Sequence, residues 1–262
     1  MIPKIIHYCW FGKDEKPKLA KKCIASWKKY CPDYQIIEWN EDNYDISSAP
    51  LFVRQAIEAQ KWAFASDYVR LKVVYEHGGI YLDTDVEMIK NFDVFLHNPA
   101  FFGFEYALNS YRIATGLGFG AEKGCSILLE IMKIYEDNAF YDPSGDLDMT
   151  WNTTKETSVF LKHGIQLDGS EQIVDDGIHI YPAQYFQPLK NGFIIPCLTS
   201  KTVSIHWYAS SWWPEGKRRE NIKRTCKDYI KHIPNRLGMK ILGMERYNRL
   251  KRIFGNKSHK AR

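Results

Sequence analysis

The sequence predicts an α/β fold, in which helices alternate with short buried strands around a sheet. The first observation is the order of the periodic segments, which is β-α-β-α-α-β up to residue 85. The second is the apolar run at 80–82, which is too short for a helix and is typical of a buried strand. The third is a pair of aspartates directly behind that run, Asp83 and Asp85, at the end of the strand where open α/β sheets bind their ligands.

The first half of the chain has regularly alternating elements. It is predicted to contain strands at 4–9 and 34–39, helices at 19–30 and about 48–60, a further helix that follows almost directly, and a strand at 80–82. Ser47 or Ser48 can cap the second helix, with Pro50 in its first turn. Gly78-Gly79 ends the third helix, because glycine adopts a left-handed C-cap without steric cost. This order indicates a Rossmann-like nucleotide-binding half.

The second half is less regular. It is predicted to contain strands at 86–89, 101–105, 113–120, 178–181 and 203–207, helices at 126–137 and 151–163, and a loop at 142–148. Glycines alternate at positions 116, 118 and 120. They do not form a P-loop, since no Gly-Lys-Ser/Thr follows. We expect them instead to let another group approach the backbone closely.

The composition excludes several classes of protein. A hydrophobic content of 45% supports a real core, and the 15% aromatic content suits ring stacking on sugars and bases as well as packing. No apolar run is long enough to cross a membrane, and the N-terminus enters a strand at once, without the apolar core of a signal peptide. The six cysteines lack CxxC spacing. They indicate free thiols in a reducing cytoplasm and argue against a structural zinc site.

The last part of the chain differs from the rest in its charge. Residues 217–262 contain 16 Lys and Arg but three Asp and Glu, a net charge of +13 that leaves −8 on the first 216 residues. Apolar residues recur there at helical spacing, and Pro234 should break or kink the helix. Such a basic helix can lie on an anionic membrane surface or pack on the body with a solvated basic face. Nucleic acid is discounted as a partner, because no nucleic-acid-binding motif accompanies the charge.

Four charged residues suggest chemistry near residue 85. Asp83 and Asp85 would repel each other at the end of a buried strand, and a cation placed beside them removes that repulsion. Asp67 and Arg70 are three residues apart, so they share one side of the predicted helix. A surface ion pair of small value is the structural alternative for these two residues.

The stretches Ser-Asp-Tyr-x-Arg (66–70) and Gly-Gly-Ile-Tyr-Leu-Asp-Thr-Asp (78–85) resemble the signature of the DXD-containing sugar-nucleotide glycosyltransferases of family 32. That family includes yeast α-1,6-mannosyltransferases and bacterial capsule transferases, and the clostridial glucosylating toxins carry a related pattern. The resemblance resumes at Ile-Pro-Lys-Ile-Ile-His-x-x-Trp (2–10) and at His-x-x-x-x-Ser-Trp (206–212). It implies a GT-A type fold, with a nucleotide-binding half merged with an acceptor-binding half.

The resemblance also implies a role for each matching residue. Asp85 would bind a divalent metal directly, Asp83 would hold ribose and the metal, and His206 would complete the metal shell. Asp67 and Arg70 would grip sugar hydroxyls, with Tyr81 contributing from the strand. Trp10 would stack on the nucleotide base, with His7 and Tyr8 as its neighbours. Ser211 and Trp212 would fold over the diphosphate. For Trp10 and His206 the alternative is a packing role within the sheet.

The implied function is metal-dependent transfer of a sugar from a nucleotide-sugar donor, a UDP-sugar, to a saccharide or lipid-linked saccharide in surface polysaccharide synthesis. The metal is Mn²⁺ or Mg²⁺, and the family analogy implies a retaining hexosyltransferase. We expect a catalytic domain at 1–216, with halves at 1–110 and 111–216, and a basic tail at 217–262. We expect a cytoplasmic protein, attached peripherally to the membrane through that tail.

Two other functions are compatible with parts of the sequence. A haloacid-dehalogenase-type phosphatase also has Asp-x-Asp at a strand end, and Asp175-Asp176 could imitate its later acidic pair. That motif requires Thr or Val two residues after the second Asp, where this chain has Glu87, and it normally lies near the N-terminus. A non-catalytic sugar-nucleotide-binding protein would not need the whole acidic set. The sugar, the acceptor and the linkage are not encoded in any motif.

Overall fold

The computed structural model describes residues 1–175, 177–188 and 197–209. The strands are β1 (Ile5–Cys9), β2 (Gln35–Trp39), β3 (Gly79–Tyr81), β4 (Val86–Met88), β5 (Ala100–Ala107), β6 (Ser110–Ile113), β7 (Phe119–Ala121), β8 (Gln172–Val174), β9 (Ile178–Tyr181) and β10 (Ser204–His206). The helices are α1 (Lys18–Tyr30), α2 (Leu51–Glu58), α3 (Trp62–His77), α4 (Ser126–Glu136) and α5 (Asn152–Lys162). The predicted tail at 217–262 lies outside the described residues.

Eight of these strands form one mixed sheet. Seven of them have the order β2-β1-β3-β7-β5-β9-β8, and β6 pairs with β5. Strands β1, β2 and β3 are mutually parallel, and β7 runs antiparallel between β3 and β5. The predicted α/β fold of GT-A type is therefore confirmed, with parallel strands β1, β2 and β3 in the central sheet and the aspartate pair directly after β3.

Burial explains the position of the first elements. Strand β1 lies between β2 and β3, and four of its five residues are buried. Helix α1 buries Ala20, Cys23 and Trp27 and carries lysines on its exposed face. Helix α3 buries most of its length, including Asp67 and Arg70. This helix must therefore satisfy its charges within the protein.

The predicted strand at 86–89 is present as β4, which a turn at 83–86 separates from β3 and which pairs antiparallel with β10. Two other predictions differ from the structure. Residues 46–48 form a short 3₁₀ helix capped by Asp45, and Pro50 is the N-cap of α2, so Ser47 and Ser48 do not cap α2. Residues 113–120 are not one strand, since a 3₁₀ turn at Thr115–Leu117 separates β6 from β7. Strand β8 was not predicted.

No helix among the described residues is long and apolar enough to cross a membrane. The cysteines of the described part are all free.

Candidate functional site

The aspartate pair lies at the carboxyl end of β3, as predicted. The backbone N–H of Leu82 donates to the carbonyl of His7 (3.1 Å), so the residue after β3 is still bonded to β1. The N–H of Val86 then donates to the carbonyl of Asp83 (2.9 Å), and this hydrogen bond closes a turn that contains Asp85. The Asp83 and Asp85 side chains are 27% and 15% exposed. Both carboxylates are thus largely buried but partly accessible.

The pairing of β4 with β10 brings His206 to this turn. Residues 86 and 206 are register partners, and His206 Nε2 lies 3.1 Å from Asp85 Oδ1. Ligand atoms of Asp83, Asp85 and His206 all lie within 4.8 Å of one another. The buried Nδ1 atom of His206 has no hydrogen-bond partner among the described residues. Two carboxylates and an imidazole form a donor set that suits Mn²⁺, so these residues fit a divalent metal.

The two aspartates have different electrostatic environments. Burial raises the pKa of Asp83, and neighbouring Asp85 adds to that rise while Arg70 opposes it. Burial also acts to raise the pKa of Asp85, but His206 and the backbone N–H of Ala209 (2.7 Å from Oδ2) outweigh it, so the pKa of Asp85 is lowered. Asp85 is therefore the better-stabilised anion of the pair.

Arg70 connects this turn to helix α3. Its Nη2 atom lies 2.8 Å from Asp67 Oδ1 and 3.3 Å from Asp83 Oδ1, and its Nη1 donates to Thr115 Oγ1 (3.3 Å). The side chains of Arg70 and Asp67 are 5% and 13% exposed. The interpretation as a weak surface ion pair is therefore wrong. Burial raises the pKa of Asp67 to about 7, in spite of the opposing charge of Arg70.

Tyr81 lies beneath Arg70, with the guanidinium 5.2 Å from the centroid of its ring. Its side chain is 1% exposed. Tyr81 supports Arg70 by a cation–π contact, so it contributes to this group of residues through Arg70.

Gly116 follows Thr115 and packs against the same group. A Cβ at position 116 would lie 2.6 Å from Asp83 Oδ2 and 3.4 Å from Arg70 Nη1. The predicted close approach to a glycine backbone is confirmed here, and the approaching group is a carboxylate of the aspartate pair.

The residues predicted to lie at the nucleotide base, His7, Tyr8 and Trp10, have different surroundings. Trp10 is half-buried, its Nε1 donates to the carbonyl of Asp14 (2.7 Å), and it borders a cavity of about 280 Å³. Tyr8 is buried, and its hydroxyl donates to Glu38. Trp10 therefore has open space beside it, whereas Tyr8 lies behind the surface.

His7 does not line a binding surface in this structure, and its assignment to base binding is corrected. The side chain is fully buried, Nε2 lies 2.8 Å from the carbonyl oxygen of Gly78, and Nδ1 accepts a hydrogen bond from Trp39 Nε1 (3.0 Å). Burial lowers the pKa of His7 to about 4. Both ring nitrogens are used to join β1, β2 and the end of α3, so His7 has a structural role.

Ser211 and Trp212, together with Asp176, lie outside the described residues. Asp175 lies in the loop between β8 and β9, and its carboxylate is 2.5 Å from His163 Nδ1.

Glu156 was not predicted as a site residue. This residue of α5 is fully buried and accepts hydrogen bonds from the backbone N–H of Thr115 (2.9 Å) and from the Thr115 hydroxyl (2.5 Å). A signal was present, because Thr153, Glu156, Thr157 and Phe160 recur at helical spacing on the buried face of α5. An acidic residue on such a face needs internal partners.

The fold and the site together define a class: α/β proteins with an Asp-x-Asp turn and a candidate metal site at the carboxyl end of a central strand. Residues 17–102 match the family described as "Glycosyltransferase sugar-binding region containing DXD motif". The match covers about a third of the chain and includes the stretches at 66–70 and 78–85, so this part is similar to the family that the sequence resembles.

Similar proteins were also found among curated protein sequences. The chain is 32% identical over 106 residues to inositol phosphoceramide mannosyltransferase 3 of Schizosaccharomyces pombe, which covers 38% of this chain and 28% of that protein. It is 32% identical over 111 residues to an uncharacterized glycosyltransferase of Acanthamoeba polyphaga mimivirus, covering 39% of this chain and 43% of the relative. The matched part thus spans less than half of each relative.

Two solved structures are similar in part. The PaToxG glycosyltransferase is 21% identical, with a TM-score of 0.48, over 62% of this chain and 68% of that one. A glycosyltransferase involved in the glycosylation of the major capsid of PBCV-1 is 15% identical, with a TM-score of 0.44, over 84% of this chain and 100% of that one.

Proposed function

We propose that this protein is a metal-dependent glycosyltransferase that moves a sugar from a UDP-sugar to a saccharide or lipid-linked saccharide acceptor in surface polysaccharide synthesis. The observation that carries the proposal is the convergence of Asp83, Asp85 and His206 beside the buried Arg70. These residues come from α3, the end of β3 and β10. Simple packing would not require them to meet.

The proposed metal site consists of Asp85 and His206 as direct ligands, with Asp83 binding the metal and the ribose. Mn²⁺ is preferred over Mg²⁺, because an imidazole accompanies the two carboxylates. When bound, the ion supplies positive charge where negative charge develops on the leaving diphosphate. Ala209 N–H holds Asp85 in place, so the carboxylate is oriented before the donor arrives.

Arg70 and Asp67 are proposed to bind the sugar of the donor. Arg70 is held by two carboxylates and the ring of Tyr81, which fixes the direction of its remaining N–H groups. Its buried Nε has no hydrogen-bond partner among the described residues. A positioned donor of this kind can interact with hydroxyl or phosphate oxygens of the substrate. Asp67 accepts from a sugar hydroxyl.

Transfer with retention of configuration by a hexosyltransferase is proposed from the family resemblance. The base is proposed to stack on Trp10, next to the 280 Å³ cavity. Ser211 and Trp212 are proposed to cover the diphosphate.

The test is a screen of UDP- and GDP-sugars with Mn²⁺, in which release of the nucleoside diphosphate is followed with and without EDTA. We expect release from at least one UDP-sugar, abolished by EDTA and restored by Mn²⁺. Full activity in EDTA would remove the metal from the proposal. Rapid turnover of a generic phosphomonoester without sugar-nucleotide activity would favour the phosphatase, and tight UDP binding without any turnover would favour the binding protein.

We further propose that residues 217–262 attach the protein to the cytoplasmic face of an anionic membrane. The support is the net charge of +13 in that segment against −8 in the rest. Each basic residue near such a surface contributes about 1 kcal/mol. Sedimentation with anionic vesicles should therefore require residues 217–262 and should weaken at high salt. A full-length chain that ignores these vesicles at low salt would contradict the proposal.

A further inference from the structure

Glu156 lies behind the proposed sugar-binding residues. It belongs to α5, is fully buried, and makes no contact with solvent. Its Oε2 accepts from the backbone N–H of Thr115, and its Oε1 accepts from the Thr115 hydroxyl and from Asn152 Nδ2 (3.1 Å). All three hydrogen bonds require an acceptor, so the site favours a carboxylate.

These hydrogen bonds determine the direction of the Thr115 hydroxyl. Because that hydroxyl donates its only proton to Glu156, its oxygen remains an acceptor for Arg70 Nη1. The same Arg70 contacts Asp67 and Asp83. A chain of hydrogen bonds therefore runs from Glu156 through Thr115 to the guanidinium.

The residue after Thr115 makes the connection tighter. Gly116 lies so close to Asp83 that a Cβ at that position would be 2.6 Å from Oδ2. A displacement of the 115–116 turn would therefore move the surroundings of Arg70 and Asp83 together. The Glu156 carboxylate holds this turn because it accepts hydrogen bonds from both the backbone N–H and the hydroxyl of Thr115.

We propose that Glu156 is a positioning residue, which holds the Thr115–Gly116 turn and thereby orients Arg70 toward the donor sugar. The expected effect of Glu156 on catalysis rests on the proposed function. The hydrogen bonds by which Glu156 holds the turn do not depend on it. Glu156 does not touch the substrate in this scheme.

An acidic residue at this position is costly to bury. Asp67 and Asp83 already lie beside Arg70, so Glu156 places a third carboxylate near one guanidinium. Burial raises the pKa of Glu156, while Arg70 and the Thr115 hydrogen bonds oppose that rise. Packing alone would be served by an apolar residue, so the cost indicates a specific task.

Glu156→Gln tests the polarity of this contact without changing its size. No orientation of a glutamine amide accepts from all the groups that donate to Glu156, because its NH₂ group would face either the Thr115 N–H or the two donors at Oε1. We expect kcat/KM for the UDP-sugar found in the screen to fall about tenfold or more, the scale for losing a hydrogen bond to a charged group. Affinity for UDP with Mn²⁺ should fall less than kcat/KM does, because UDP lacks the sugar that Arg70 is proposed to bind and can be affected only through Asp83.

Thr153→Val is the matched control. Thr153 lies one turn earlier on α5, is buried, and its hydroxyl has no hydrogen-bond partner among the described residues. This variant should retain the kcat/KM of the wild type. Thr115→Val, which removes the hydroxyl between Glu156 and Arg70, should reproduce the loss. The double variant with Glu156→Gln should be no worse than either single variant, whereas losses that multiply would overturn the proposal.

A second readout does not depend on activity. The Arg70 Nε–H signal in a ¹⁵N NMR spectrum, assigned by its loss in Arg70→Lys, should shift in Glu156→Gln and stay in place in Thr153→Val. An unmoved signal would overturn the proposal even if the enzyme lost activity. If the wild type released no nucleoside diphosphate in the screen, the proposed function would fail, and the NMR comparison would still decide whether Glu156 orients Arg70.

Discussion

Strand β1 and the carboxyl end of β3 are neighbours in the sheet, but they differ in how their polar groups are satisfied. At β1, His7 is fully buried and both of its ring nitrogens have protein partners. At β3, Asp83 and Asp85 remain partly exposed, and nearby His206 keeps one ring nitrogen without a hydrogen-bond partner among the described residues. His7 thus has no ring nitrogen left for a ligand, whereas the carboxylates at the end of β3 are partly accessible to one.

This difference separates two histidines that the sequence presents in similar ways. His7 and His206 both lie within or at the end of a short strand and both belong to a family-like motif. Burial lowers the pKa of His7 to about 4, while Asp85 raises the pKa of His206 against the effect of burial. The partners of a histidine therefore indicate its role better than its motif does.

The largest effect is expected for Asp85→Asn at the β3 end. Loss of the carboxylate that holds the metal should lower the rate of donor hydrolysis or transfer at least about 100-fold, the scale for removing a key charge-stabilising group. The measurement is nucleoside diphosphate release at saturating Mn²⁺. Asp146→Asn, which changes an exposed aspartate of the loop at 142–148, should retain the wild-type rate. Equal rates in both variants would contradict the role of Asp85.

A smaller effect is expected at the end of β1, where Trp10 is half-buried beside a cavity. Trp10→Ala should weaken binding of the free nucleoside diphosphate by about 1–3 kcal/mol, the usual contribution of an aromatic ring stacked on a base. Calorimetric titration with UDP measures this change. Trp151, which is 40% exposed and faces Arg112, provides the control variant Trp151→Ala. Unchanged affinity in Trp10→Ala would show that Trp10 only packs against the sheet.

His7 should affect stability and its dependence on pH. The unfolded chain binds a proton at this histidine below about pH 6.5, whereas the folded protein resists protonation down to about pH 4. The unfolded state therefore binds more protons between these values, and the free energy of unfolding should fall by about 2 kcal/mol from pH 7 to pH 5. Urea unfolding of the wild type and of His7→Gln measures this part of the slope.

His97→Gln is the control, because His97 is exposed. It should keep the wild-type slope, while His7→Gln should lose about 2 kcal/mol of pH dependence whatever its stability at pH 7. A His7→Gln slope equal to that of the wild type would show that the histidine is protonated in the folded protein.

The parts of the fold predicted correctly depend on neighbours in sequence. Strand β1, helix α1 and the end of α3 at Gly78 follow from periodicity and from glycine, which here has φ of 68°. The turn at Thr115–Leu117 depends on a contact with Glu156, which is 41 positions away from Thr115. Strand β4 pairs with β10, which lies more than 100 positions further along the chain. Local patterns contain no information about such partners, so 113–120 was interpreted as one strand.

The same limit applies to the candidate site. The motif residues Asp67, Arg70, Asp83 and Asp85 are close in sequence, and the structure brings them together. Glu156 was missed because its role depends on the packing of α5 against the 115–116 turn. His7 was misassigned because its burial results from the pairing of β1 with two other strands.

Binding of Mn²⁺ distinguishes the proposed metal site at the end of β3 from the structural histidine within β1. Electron paramagnetic resonance measures free Mn²⁺ during titration of folded protein in the presence of UDP. We expect one tightly bound ion in the wild type and in His7→Gln, and at least about a tenfold loss of affinity in Asp85→Asn and in His206→Ala. Equal Mn²⁺ affinity in all four proteins would contradict the account.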